Sequence, residues 1–108
     1  TLATNKIPAD RASIATSEKL ANAPGATGKP AAGAGDAYLG YGEDAKAITY
    51  YKLALQKGGV DMDQVNTRLG IALARSGQKD EARKYLSAVT GPRADIAKYW
   101  MLYLDLQP

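Results

Sequence analysis

Residues 69–86, LGIALARSGQKDEARKYL, decide the fold, because residues 34–51, AGDAYLGYGEDAKAITYY, already carry the same pattern. At an offset of 35, Gly35, Ala37, Gly42, Ala47 and Tyr50 return as Gly70, Ala72, Gly77, Ala82 and Tyr85. Between these identities the character of each position is kept: Tyr38 pairs with Leu73, Leu39 with Ala74, Tyr51 with Leu86 and Ala54 with Val89. A fixed period of this length marks an array of helical hairpins, in which each unit covers a face that its neighbour leaves open. Such a chain is expected to bind rather than to catalyse.

Working outward, turn and cap residues place six helices. Gly42 ends a helix that starts near Pro30, and Glu43-Asp44 put negative charge at the start of the next, which runs to Lys57 through Ala47, Ile48, Tyr51, Ala54 and Leu55. Gly58-Gly59 stops it, and Asp61 or Asp63 caps a helix over 62–76. Gly77 turns the chain into a partner helix over 78–88, and Pro92 opens a last helix that ends near Leu106. Upstream, Ile7, Ala12, Ile14, Ala15 and Leu20 outline a modest amphipathic helix over 8–22. The stretch APGATGKP, residues 23–30, holds two Pro and two Gly and reads as the most mobile internal loop. The expected fold is all-α, a superhelix of antiparallel helix pairs in one domain spanning 1–108, with units at 28–62 and 63–97 and flanking helices at 8–22 and 92–106.

Composition narrows the function. The 108 residues include 7 Tyr and 1 Trp but no Phe, no Cys and no His. Without His the commonest general base and metal ligand is missing, and without Cys there is no thiolate nucleophile or disulfide. The net charge of +3 is scattered, which speaks against a nucleic-acid stripe, and no apolar run reaches the roughly 20 residues that a membrane span needs. GATGKP, residues 25–30, resembles the end of a phosphate loop, but Ala23 and Pro30 stand where Gly and Ser or Thr are required. Asp61 and Asp63 begin like a calcium loop that Val65 and Asn66 do not continue. Glu43-Asp44 and Asp80-Glu81 are helix-start charges rather than catalytic dyads. No catalytic residue, metal or cofactor is expected. The opening at Thr1 without a leader reads as a processed protein or a piece of a longer one.

The segment from Gly28 to Ala94 resembles the tetratricopeptide repeat. Leu69-Gly70, Leu73, Gly77, Ala82 and Leu86 stand at its signature places in the second unit; Gly35, Tyr38, Gly42, Ala47, Tyr51 and Ala54-Leu55 do so in the first. Asn66 and Ala31 depart from the usual Trp, and Ala94 from the usual Pro. Segments such as KGGVDMDQVNTRLGIALARSGQ and VTGPR also look like parts of larger tetratricopeptide-type proteins of alphaproteobacteria. In this family the first helix of each unit lines a concave groove that holds an extended peptide or a partner helix. The resemblance therefore implies a groove lined by Lys29, Ala32, Asp36 and Leu39 from the first unit, and by Gln64, Thr67, Arg68, Ile71 and Arg75 from the second.

Arg68 and Arg75, seven residues apart, share nearly one helical face and suit a carboxylate; the bland alternative pairs them with Asp61 or Asp80 on the surface. Asp36 disfavours a clamp for a partner's C-terminal carboxylate. In the last helix Ile96, Tyr99, Trp100, Met101, Tyr103, Leu104 and Leu106 cover more than one face. Tyr99, Trp100, Tyr103 and Leu104 are thus candidates for a cap on the stack or for an interface, and a homodimer through this helix is the alternative to a groove-bound protein or peptide partner.

Overall fold

The chain is all-α. A computed structural model describes residues 14–106, so the first part of the helix expected over 8–22 lies outside the described residues. Within them α1 covers 14–21, followed by α2 (Lys29–Gly40), α3 (Asp44–Lys57), α4 (Met62–Arg75), α5 (Lys79–Ser87) and α6 (Ala94–Asp105). Pro92 lies in a short 3-10 turn, Gly91–Arg93, so the last helix proper starts two residues later than the proline suggests.

The 35-residue offset reappears in the backbone. Gly42 and Gly77 both take positive φ, 78° and 82°, a conformation that glycine reaches without a Cβ penalty. Around them the N–H of Glu43 donates to the Tyr38 carbonyl and that of Gln78 to the Leu73 carbonyl, each at 2.9 Å. This six-to-one bond closes a helix by satisfying a carbonyl that would otherwise be orphaned. The chain then doubles back: the Gly28 N–H at the start of α2 meets the Gly58 carbonyl at the end of α3, and Thr90 after α5 returns to Asp63 at the start of α4. Each pair is therefore antiparallel.

The pairs approach closely at glycine. A Cβ on Gly35 would lie 2.8 Å from the Tyr51 ring, and one on Gly70 would lie 2.5 Å from Leu86. Ala47 and Ala82 are fully buried beside them. The stack continues as α3 packs on α4 and α6 rests on both α4 and α5. Asp61, not Asp63, caps α4, accepting from the Gln64 N–H at 3.1 Å.

The loop over 23–30 is anchored. Besides the Gly28 to Gly58 bond of 2.7 Å, Lys57 Nζ donates to the Ala23 carbonyl at 3.1 Å. Gly28 itself has no room for a side chain, since a Cβ would run into the Ala54 carbonyl oxygen.

Candidate functional site

The outward stripe of α2 carries Lys29, Gly33, Asp36 and Gly40; that of α4 carries Gln64, Arg68, Ile71 and Arg75, the same positions one period later. Between the two helices lies an open trough of about 630 Å³ lined by Asp36, Leu39, Gly40, Arg68 and Arg75. Across Asp36 a second depression of about 460 Å³ runs toward α1, bounded by Ile14, Ser17, Gly33, Ala37 and Tyr41. Gly33 and Gly40 keep this floor low. An added Cβ at either meets nothing within 4 Å, so packing does not require glycine there, although each disfavours the helix by about 1 kcal/mol relative to Ala.

Asp36 is the centre of the trough. Its Oδ1 accepts from the Tyr51 hydroxyl at 2.6 Å and its Oδ2 from Arg68 Nη1 at 2.7 Å. One carboxylate thus joins α2 to its own partner helix and to the next unit. Burial raises the Tyr51 phenol above its ordinary value, and the bond to Asp36 acts in the same direction. Arg75 lies 3.6 Å from Asp44 Oδ1, an ion-pair separation beyond hydrogen-bond length. Both arginines are therefore paired across the helix pairs, and not with Asp61 or Asp80. A guanidinium carries five donors, so these single pairings leave donors facing the trough.

Leu39 is half-buried on its wall; Ile71 is half-buried on the outward stripe of α4 without lining the trough, and Gln64 lies further along α4. Lys29 is exposed at the far end of α2. Thr67 does not join them: it is buried, with its hydroxyl donating to the Asp63 carbonyl at 2.7 Å. Ala32 is half-buried beside the stripe. On α6, Leu104 is buried in the core and Trp100 half-buried, whereas Tyr99 and Tyr103 are exposed.

A second polar cluster had no signal in the sequence. Glu18 of α1 accepts from the Tyr38 hydroxyl at 2.7 Å and the Tyr50 hydroxyl at 2.6 Å. The two rings stack with centroids 5.9 Å apart, and Lys46 Nζ stands 5.2 Å from the Tyr38 centroid. The bonds from Tyr50 and Tyr38 hold the Glu18 carboxyl below its ordinary value. The same carboxylate, with burial, pushes Tyr38 up to about 12, and its bond to Tyr50 raises that phenol too. Glutamate and tyrosines lie 20 and 32 residues apart, a separation that helical periodicity does not connect.

Among the described residues no group of three or more acidic residues is placed to hold a metal, and no helix is long and apolar enough to cross a membrane. No protein-family model, curated protein or solved structure matches the chain.

Proposed function

We propose that this chain is a protein-interaction module, a tetratricopeptide-like scaffold that holds a peptide or partner helix in the trough between α2 and α4. The observation that carries the reading is the floor of that trough. Gly40, an exposed glycine that packing does not need, lies beside Arg68 and Arg75 with donors to spare, which leaves room for a backbone and grip for a carboxylate. The absence of His and Cys from the whole sequence supports binding over catalysis.

The test is a charge removal outside the core. Arg75→Gln, which removes the charge without setting a second carboxylate against Asp44, weakens binding of acidic peptides while far-UV circular dichroism stays unchanged; unchanged peptide affinity would sink the reading. Arg68 is the poorer probe, because its replacement breaks a 2.7 Å hydrogen bond to Asp36, whereas Arg75 stands 3.6 Å from Asp44. A second reading, a structural or oligomerisation segment acting through α6, draws on the exposure of Tyr99, Leu102, Tyr103 and Leu106. Light scattering over a concentration series, with Tyr103→Ala alongside, tests it.

A further inference from the structure

We propose that α6 is the third wall of the same groove, and that the partner is a peptide pairing aromatic or long aliphatic anchors with an acidic residue. The anchors would meet Tyr99, Tyr103 and Leu106, and the acid Arg75. The proposal rests on reading the α2–α4 trough as a binding surface, and it names what that surface takes.

The first support is register. One period beyond Gln64, Arg68 and Ile71 stand Tyr99, Tyr103 and Leu106. The buried position agrees, since Ala34, Leu69 and Leu104 are 0%, 0% and 1% exposed. Direction agrees as well. Asp61 and Asp63 at the start of α4 share a cleft with Pro92, Arg93 and Ile96 at the start of α6, so the two helices run the same way. At the groove positions of α6, Tyr99 is 67%, Tyr103 41% and Leu106 76% exposed.

The second support is the contrast with the neighbouring face of α6. Where α2 and α4 place Gly35 and Gly70 to admit a closely packed helix, α6 places Asp105, which pairs with Arg83 at 2.6 Å. Lys98, one heptad earlier, is exposed. The apolar exposure of α6 is thus centred on the groove register, while charge marks the face on which the earlier units receive their second helix.

Two further features fix the chemistry of the occupant. Trp100, half-buried, makes edge contacts with both Tyr99 and Tyr103, at centroid distances of 6.4 and 5.4 Å. The rings are held before any partner arrives, which lowers the ordering cost of binding. Arg75 is exposed and 3.6 Å from Asp44 Oδ1, so a ligand acid gains charge-assisted bonds there. Neighbouring helices are typically 8–10 Å apart. A ligand crossing three of them therefore spans roughly 20 Å, about six extended residues.

The experiment uses the whole chain. A phage-displayed library of random 12-residue peptides is selected on it, and the best binder is made with a fluorescein label for anisotropy. Selected peptides should combine Trp, Phe or Leu with Asp or Glu. Tyr99→Ala with Tyr103→Ala should weaken the binder about tenfold or more, with Leu106→Lys as an independent second variant should the first lose its helical spectrum. If Arg75→Ala weakens binding but both α6 variants leave it unchanged, the trough stands and the third wall is overturned. If no peptide binds above an unrelated control, both readings fall. If light scattering shows a dimer that the α6 variants dissociate, α6 covers itself and the proposal is overturned.

Discussion

Against Gly35 the first helix pair sets Tyr51; against Gly70, at the equivalent place, the second sets Leu86. The backbones match down to the turn bonds, yet the fillings differ in kind. The first pair is rich in alanine on its buried side, with Ala31, Ala34, Ala47 and Ala54 fully covered. Tyrosines fill the remaining space and tie their hydroxyls to Asp36 and Glu18. The second pair packs Val65, Leu69, Leu73 and Leu86 and relies on aliphatic burial. One repeat plan thus tolerates two ways of filling the same gap, provided that the glycine opposite is kept.

Truncation of the fillers has the largest expected effect. Tyr51→Ala should cost about 3–5 kcal/mol and Leu86→Ala about 2–5 kcal/mol in urea unfolding. The comparison sharpens with Tyr51→Phe, which leaves Asp36 short of a donor and costs about 1–2 kcal/mol, a loss with no counterpart in the second pair. Equal sensitivity of both pairs to loss of a hydroxyl-sized group would undo the contrast.

Next come the glycines. Gly35→Ala and Gly70→Ala should each destabilise by about 1–3 kcal/mol through overpacking. Gly33→Ala and Gly40→Ala, where an added Cβ meets nothing, should stabilise by about 0.5–1 kcal/mol. Thermal melts of the four variants check the sign at each site. A loss at Gly33 or Gly40 would mean that these glycines are structural after all.

The smallest effect is on pH. Glu18 sits below its ordinary 4.5, so its contribution is present above that value and fades as pH falls through the lower folded one. Tyr38 is raised from 10.0 to about 12, so its contribution is complete below 10.0 and is lost as pH climbs through 12. Glu18→Gln should flatten the acid side of the stability profile; an unchanged acid limb would show that the cluster adds nothing to folding.

Helices and turns were legible in the sequence because glycine stops, acidic starts and the 35-residue offset are local signals. The helix expected over 62–76 is Met62–Arg75, and that expected to run to Lys57 ends there. Polar pairings were not legible. Arg68 was as compatible with a neighbour on its own surface as with Asp36, and only the spacing between α2 and α4 decides for Asp36. Thr67 falls on the groove side by family position, yet the face that it shares with Ala74 is covered. The register of Tyr99 and Tyr103 with the groove was present in the numbers, but no identical residue marks it, because α6 replaces polar side chains with aromatic ones.

Asp36–Arg68, Asp44–Arg75 and Lys52–Glu81 all bridge the first helix pair to the second, with partly exposed side chains. Exposed ion pairs weaken as salt rises, over a screening length of about 8 Å at physiological ionic strength. The seam between the pairs therefore behaves as a joint with tunable stiffness. Apolar packing between α3 and α4 is not screened in this way, so rising salt weakens the charged part of the seam and leaves the packed part in place.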